Sequence, residues 1–287
     1  MRRFLCAACL AAVLSISASV GVAIAQNDPS SPSPQGEVRD EEVTADAKTD
    51  DAVEQVLGTD DTGRFTPHRL NYGVINGNDA KMQFSLKYRL IRDFGLYFAY
   101  TNLIVWDVWE YSTPYRDINF KPELFYRWRP DLKWIYSADA GYWHNSNGKD
   151  GEKDRAWDRL FGRVNMTVPL WHFDLVWLTA IYYTFNKNEA NDDIENYLGW
   201  WETAFFIRDL LPRAEDKDNL DFEYHLVSGD HGRPFDRGSQ MLGLRYKFKK
   251  AAFQPHLYLQ YFNGYGEVIL EYNKRSEELR FGLALPY

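Results

Sequence analysis

The stretch 81–90 reads Lys-Met-Gln-Phe-Ser-Leu-Lys-Tyr-Arg-Leu, so polar and apolar side chains alternate one by one. A β-strand points successive side chains to opposite faces, whereas a helix would group apolar residues at spacings of three and four. One face of this strand would be apolar from Met82 to Leu90, and the other would carry two lysines and an arginine. The pattern predicts a strand that lies between lipid and a polar lumen.

The same alternation recurs later in the chain. Leu242, Leu244, Tyr246 and Phe248 alternate with Arg245, Lys247 and Lys249, and Leu279, Phe281, Leu283, Leu285 and Tyr287 share one face. A final aromatic residue is common in outer-membrane barrels, and we interpret it as an assembly signal. Between Phe65 and Tyr287 the candidate strands number about twelve, an even number as expected for bacterial single-chain barrels. We therefore predict an all-β fold, a transmembrane antiparallel β-barrel over residues 64–287.

Composition supports the barrel over a soluble alternative. Aromatic residues make up 16% of the chain, yet its mean hydropathy is −0.49, and no stretch after residue 63 is a plausible membrane-spanning helix. A lipocalin-like or sandwich domain is the alternative. It would have to explain why Lys, Arg and Gln alternate with the residues of its core.

The first 25 residues have the features of a secretory signal peptide. Arg2 and Arg3 precede an apolar run that closes with the small-residue pattern Ala23-Ile24-Ala25, so we expect cleavage after Ala25. A single-spanning anchor is the alternative. The chain's only cysteines, at positions 6 and 9, lie in this segment, so the mature protein would have no disulfide.

Residues 26–63 differ in composition from the rest of the chain. They are rich in Ser, Pro, Ala and acidic residues, including Asp40-Glu41-Glu42, and they contain hardly any aromatic residue to bury. Such a composition predicts a disordered acidic segment that acts as a solvated spacer.

The candidate chemistry lies in one hairpin, 132–168. The residues that share the outer face of its first strand are Leu132, Trp134, Tyr136, Ala138, Ala140, Tyr142, His144 and Ser146. On its second strand the outer face has Asp158, Leu160, Gly162, Val164, Met166 and Val168, and the inner face has Arg155, Arg159, Arg163 and Asn165. By apolar parity, His144, Ser146 and Asp158 are all on the lipid side.

An inner ion pair supports the expected register of this hairpin. If Asp139 meets Arg163 in the lumen, then Ala138 meets Val164, Tyr136 meets Met166, and His144 lies opposite Asp158. Opposed Cβ atoms lie about 5 Å apart, and same-face neighbours on one strand lie about 7 Å apart. His144 could therefore contact both Ser146 and Asp158.

Ser146, His144 and Asp158 would supply the three parts of a nucleophilic hydrolase. A serine hydroxyl needs a base to take its proton, and the imidazole needs a third group to fix its tautomer. Gly148 offers a backbone N–H for an oxyanion. The alternative without catalysis is an ordinary hairpin loop with an interfacial histidine. Against it, three polar residues on a lipid-facing surface are costly without a function.

These residues resemble the outer-membrane phospholipase A family. Residues 141–148, Gly-Tyr-Trp-His-Asn-Ser-Asn-Gly, and 155–160, Arg-Ala-Trp-Asp-Arg-Leu, are similar to the family's His-x-Ser-Asn-Gly and Arg-x-Trp-Asn-Arg signature at the expected separation. Weaker similarity covers the segments 114–116, 119–125, 197–201, 264–267 and 271–273. The resemblance therefore spans the barrel but not the acidic segment.

The resemblance implies a calcium-dependent phospholipase A1/A2 that acts on phospholipids in the outer membrane and is activated by forming a homodimer. It implies His144 as base, Ser146 as nucleophile and the Gly148 amide as oxyanion donor. Asp158 stands where the family usually has Asn, and we expect activity to survive this difference. The positions that match the family's calcium ligands are Lys149, Asp154 and Thr113, and Asp154 is a suitable hard-oxygen ligand.

The main alternative is a passive barrel, either porin-like or catalytically inactive, whose inner charges line a polar lumen. An adhesin or receptor would need longer outer loops than the short polar turns of this sequence. The sequence contains no Gly-rich phosphate loop and no His/Cys metal cluster, and the formal charge of −8 argues against a nucleic-acid partner.

Overall fold

In a computed structural model of the chain, the residues described are 56–57, 65–91, 94–170, 173–211, 218–248 and 255–285. The predicted signal peptide, 1–25, lies outside them, as does the acidic segment 26–63 apart from Val56 and Leu57. All the described residues belong to one unit, 42–287. None of the helices in these ranges has the length and apolarity that a membrane span requires.

Strands dominate the described ranges. They are β1 Phe65–Pro67, β2 Tyr72–Ile75, β3 Ala80–Ile91, β4 Phe94–Trp106, β5 Tyr115–Trp128, β6 Ile135–Ser146, β7 Ala156–Leu170, β8 Phe173–Phe185, β9 Trp201–Arg208, β10 Asn219–Val227, β11 Ser239–Lys247, β12 His256–Gly264 and β13 Ser276–Ala284. Three-residue 3₁₀ turns at Gly151–Lys153, Glu189–Asn191, Ile194–Asn196 and Asp230–Gly232 lie in the loops.

The strands close into a barrel. The short strands β1 and β2 both pair with β3, with Phe65 opposite Tyr88 and Tyr72 opposite Gln83, so together they form one interrupted wall strand. The same β2 also pairs with β13, and each remaining strand pairs with the next one along the chain. Counting β1 and β2 as one, the barrel has twelve antiparallel strands, and the predicted fold is confirmed.

The two faces of each strand differ in polarity as predicted. In β3, Phe84 and Leu86 are 54% and 46% exposed on the outside, whereas Ser85 and Lys87 are buried in the lumen. In β13, Phe281 is exposed and its neighbour Arg280 is buried. An apolar exterior around a charged interior is the arrangement of a barrel that uses lipid as its outer solvent.

Ion pairs fill much of the lumen. Arg127 binds Asp139 through two nitrogens at 2.8 and 2.9 Å, and Arg163 Nε lies 3.1 Å from the same carboxylate. Arg280 binds Asp79 in the same two-pronged way, at 2.6 and 3.0 Å. Bidentate pairs of this kind offset part of the cost of burying the charges and tie neighbouring strands together.

Two residues of the predicted spacer are buried in the structure. Val56 and Leu57 are 3% and 5% exposed, and they form an apolar cluster with Val176, Ala204 and Phe206. Lys87 Nζ also donates a hydrogen bond to the Leu57 carbonyl at 2.6 Å. At these two residues, therefore, the prediction of a solvated spacer was wrong.

The β6–β7 register is confirmed except at one end. Ala138 pairs with Val164, and Asp139 pairs with Arg163, as predicted. Met166, however, pairs with Ile135, because the register shifts between Ile135 and Ser137. The predicted pairing of Tyr136 with Met166 was therefore wrong, and so was its place on the lipid face, since Tyr136 packs against the cluster around Val176. A bulge adds one residue and reverses the parity of what precedes it.

Candidate active site

Strand pairing brings His144 and Asp158 together. The two residues are directly opposed on β6 and β7, and His144 Nδ1 lies 2.7 Å from Asp158 Oδ1. The imidazole is about one-third exposed, with a side-chain exposure of 35%. One ring nitrogen is therefore engaged by the carboxylate, and the tautomer with the proton on Nδ1 leaves Nε2 as a base.

Asp158 is less exposed than its place on the outer face suggested. It is 5% exposed because neighbouring side chains cover the carboxylate. The Tyr142 hydroxyl donates to Oδ1 at 2.6 Å, and Asn186 Nδ2 donates to Oδ2 at 2.6 Å. Three polar groups, counting His144, thus surround one carboxylate.

Neither of these two partners was assigned a role from the sequence. Tyr142 could have been found, because it lies two residues before His144 on the same face of β6. Asn186 follows β8, whose last residue, Phe185, pairs with Asp158. That contact depends on the register of β7 with β8, which the sequence pattern did not provide.

Ser146 follows His144 by two residues on β6, so the two side chains leave the same face about 7 Å apart at Cα. Within the described ranges, no hydrogen bond is formed by the Ser146 hydroxyl or by His144 Nε2. Catalytic hydrogen bonds are often long without substrate and shorten when it binds. The structure therefore brings His144 and Asp158 into contact and places Ser146 beside them, with its hydroxyl not yet bonded.

Asn147 shapes the loop that follows Ser146. Its side chain accepts hydrogen bonds from the backbone N–H groups of Arg155 at 3.1 Å and Lys149 at 3.3 Å, and it donates to the Lys153 carbonyl at 2.9 Å. This buried amide holds the two ends of the loop together. The loop backbone next to Ser146 is therefore held by hydrogen bonds within the protein.

Gly148 has a backbone conformation that suits glycine, with φ of +62°. A Cβ at this position would lie 3.2 Å from the Phe120 ring, so both the backbone angle and the neighbouring ring favour its absence. Within the described ranges, no hydrogen bond uses the Gly148 N–H. This donor is available to a ligand.

The three candidate calcium residues lie in two loops. Asp154 ends the β6–β7 loop, and its Oδ2 accepts a hydrogen bond from Asn188 at 2.6 Å. Lys149 directs its ammonium to the Arg116 carbonyl at 2.6 Å. Thr113 lies in the β4–β5 loop, where its carbonyl accepts a hydrogen bond from the Trp106 indole at 2.7 Å. Among the described residues, no group of three or more His, Cys, Asp or Glu could hold a metal ion.

The outer surface below His144 is apolar. Leu160 pairs with Tyr142 across the hairpin and is 47% exposed, and Ile181 on β8 is 44% exposed. Phe120 of β5 pairs with Ser146 on the other side. A histidine–carboxylate pair therefore lies at the edge of a surface that acyl chains could cover.

The twelve-stranded fold, together with His144, Asp158 and Ser146, defines an outer-membrane-type barrel with a hydrolase-like site on its outer surface. The model of the phospholipase A1 family matches residues 59–285. This chain therefore belongs to the phospholipase A1 family. The family match confirms the resemblance seen in the sequence and the prediction of a phospholipase in an outer-membrane barrel.

Individual relatives agree with this assignment. A phospholipase A1 of Escherichia coli K12 is 26% identical over 221 residues, which cover 72% of this chain and 70% of the relative. A putative phospholipase A1 of Neisseria meningitidis is 25% identical over 234 residues, which cover 77% of this chain and 58% of the relative.

Solved structures show the same fold. The outer-membrane phospholipase A of Escherichia coli superposes with a TM-score of 0.64 at 21% identity, covering 82% of this chain and 96% of that one. A Salmonella typhi outer-membrane phospholipase dimer with bound calcium gives 0.63 at 20% identity, covering 80% and 97%.

Proposed function

We propose that this chain hydrolyses the acyl ester bonds of outer-membrane phospholipids through a triad of Ser146, His144 and Asp158. The observation that carries the proposal is the 2.7 Å contact between His144 Nδ1 and Asp158 Oδ1, next to Ser146 on a lipid-facing surface. Phospholipid acyl chains would lie against Leu160 and Ile181, which brings the ester to the level of the serine.

In the first half of the reaction, Ser146 Oγ attacks the acyl carbonyl carbon while His144 Nε2 takes the hydroxyl proton. Asp158 stabilises the imidazolium that forms. The Gly148 N–H, which is free among the described residues, donates to the oxyanion. The imidazolium then protonates the leaving lysophospholipid oxygen, and an acyl-serine remains. Water activated by His144 attacks this ester and releases the fatty acid.

The loops beside the site offer some of the oxygen ligands that a calcium ion needs. Asp154 is a carboxylate at the end of the β6–β7 loop, and carbonyl oxygens such as those of Lys149 and Thr113 are also ligands that calcium accepts. The ammonium of Lys149 is directed to the Arg116 carbonyl. It therefore points away from a calcium ion bound to the Lys149 carbonyl oxygen and does not have to repel it. When bound, calcium would supply positive charge next to the developing oxyanion. We propose that Lys149 and Asp154 of one copy and Thr113 of a second hold it, which makes the active species a homodimer.

We include both the sn-1 and the sn-2 ester in the proposal, because an open barrel surface does not restrict which acyl chain approaches Ser146. We also propose that residues 1–25 are an export signal that is cleaved after Ala25. These residues lie outside the described ranges.

Fatty acid release from mixed phospholipid and detergent micelles tests the proposal. We expect the refolded full-length barrel to release fatty acid with calcium and to stop when EDTA is added. The Ser146→Ala and His144→Ala variants should each lose activity by roughly 10³-fold or more. A passive barrel would instead release no fatty acid, and Ser146→Ala would change nothing.

A further inference from the structure

The carboxylate of Asp158 is held by uncharged donors. Tyr142 and His144 both approach Oδ1, at 2.6 and 2.7 Å, and Asn186 donates to Oδ2 at 2.6 Å. Among the described residues, no lysine or arginine forms an ion pair with this carboxylate. Asp158 differs in this respect from Asp139 in the lumen, which is bound by Arg127 and Arg163.

This set of donors matches an ionised acid. A carboxylate has about four lone-pair sites and no proton to place, so it can accept from Tyr142, from Asn186 and from the Nδ1–H tautomer of His144. A protonated Asp158 would instead donate its O–H to His144 Nδ1 or to the Tyr142 oxygen, and a His144 that accepts at Nδ1 carries its proton on Nε2 and cannot act there as a base. With Asp158 ionised, the proton of a neutral His144 is on Nδ1. The free nitrogen is then Nε2, which is the one that faces the serine in a triad.

Uncharged donors also suit the chemistry better than a cation would. An arginine beside Asp158 would neutralise it before the reaction and would repel the imidazolium that forms when His144 takes the serine proton. A hydroxyl and an amide reduce the cost of a carboxylate on a lipid-facing surface but leave its charge unpaired. That charge is then available to the imidazolium.

The local structure explains how each donor reaches the site. Tyr142 lies on the same face of β6 as His144 and two residues before it. Asn186 has a left-handed φ of +48°, a conformation that Asn tolerates better than most residues, and it directly follows Phe185, the β8 partner of Asp158. The turn thus presents an amide to Oδ2.

We propose that Tyr142 and Asn186 are positioning residues that hold Asp158 as an ionised carboxylate aimed at His144 Nδ1, so that this barrel has a charged Ser-His-Asp triad. The inference rests on the proposed function, because it concerns the same site. It adds two residues that act through Asp158 and do not touch substrate.

The first test compares kcat and KM for Tyr142→Phe and Asn186→Gly. Glycine tolerates the left-handed backbone at 186 and lacks the side-chain amide that contacts Asp158. We expect each variant to lower kcat roughly tenfold or more, as for a lost hydrogen bond to a charged group, with KM within about twofold. Tyr100→Phe is the matched control, because Tyr100 and Tyr142 are both 38% exposed on the outer face, and it should leave kcat unchanged. Full kcat in both test variants would overturn the inference.

A rescue experiment separates positioning from general damage. Asn186→Asp alone sets two carboxylates against each other and should lower kcat by roughly 10²-fold. Adding Asp158→Asn restores a donor facing an acceptor. The kcat of the double variant should therefore be at least tenfold higher than that of Asn186→Asp alone. A double variant no better than Asn186→Asp contradicts the proposed pairing.

A spectroscopic signal makes the failure of this inference distinguishable from the failure of the proposed function. The Nδ1 proton of His144 should give a downfield NMR resonance in the refolded wild type that weakens in Tyr142→Phe and disappears in Asp158→Ala. If wild type releases no fatty acid but keeps this resonance pattern, the proposed function fails and the inference stands. If wild type is active and the resonance is absent or does not respond to Tyr142→Phe, the inference is wrong.

Discussion

Arg163 Nε lies 3.1 Å from Asp139 Oδ2 inside the lumen, and this pair fixes the register that sets His144 opposite Asp158 on the outside. The two pairs belong to the same two strands, β6 and β7, but they point to opposite faces. A slip of the hairpin by two residues would break both. The charges of the lumen therefore determine the geometry of the site on the lipid surface.

Replacing Asp139 should destabilise the barrel. Asp139→Ala leaves Arg127 and Arg163 without the carboxylate that both contact, and breaking a buried ion pair in this way costs about 3–5 kcal/mol. Urea unfolding in lipid vesicles, followed by tryptophan fluorescence, measures the change. Asp131→Ala, at an exposed turn, is the control and should stay within about 0.5 kcal/mol of wild type. Equal stability of the two variants would mean that the ion pairs do not hold the hairpin.

Two glycines of one loop give a matched test of the oxyanion donor. Gly148 and Gly151 both have left-handed backbones, with φ of +62° and +58°, but only a Cβ at 148 would meet the Phe120 ring. Alanine keeps the N–H at 148, but its Cβ against the Phe120 ring would shift this proposed donor away from the oxyanion. Gly148→Ala should therefore lower kcat by up to about 10²-fold, the cost of losing one oxyanion donor, whereas Gly151→Ala should change kcat less than threefold. Similar losses in both variants would point to backbone strain alone.

The acid at the end of this loop is expected to control calcium affinity. Asp154→Ala removes a proposed hard-oxygen ligand and should raise the calcium concentration for half-maximal activity by at least about tenfold. Asp150→Ala, an exposed acid of the same loop, is the control for general loop charge and should shift it less than about threefold. An unchanged calcium requirement in Asp154→Ala would remove Asp154 from the proposed site.

The buried pair ahead of the first strand is expected to stabilise the barrel. Leu57 is 5% exposed against lumen residues, whereas Leu132 is 54% exposed on the outside. Leu57→Ala should therefore lower the free energy of unfolding by about 2–3 kcal/mol, and Leu132→Ala should lower it much less. Unfolding in vesicles again measures both, and an unaffected Leu57 variant would mean that this contact adds no stability.

The barrel could be predicted from the sequence because alternation is a direct consequence of strand geometry. The stretch 81–90 alternates at every residue, and the expected pairing of Asp139 with Arg163 supported the register that places His144 opposite Asp158. Neither inference needed a contact between distant segments.

The features that could not be predicted from the sequence depend on irregular backbone or on contacts between distant segments. The bulge before Ser137 has no signature in the alternating pattern, so Tyr136 was placed on the wrong face. Asn186 reaches Asp158 from 28 positions away, through the register of a third strand and a left-handed turn. Val56 and Leu57 stand among acidic residues, and their burial becomes visible only when the apolar wall around Val176 is known.

Covalent labelling of Ser146 tests the central claim most directly. An alkyl sulfonyl fluoride should react with the refolded barrel at one site, found by peptide mass spectrometry on the tryptic fragment that contains Ser146, and the adduct should be absent in Ser146→Ala and strongly reduced in His144→Ala. A single adduct at Ser146 that forms in step with the loss of fatty acid release is the result we predict. Complete inactivation with the adduct on another residue, or an active enzyme that never labels at Ser146, would contradict the account.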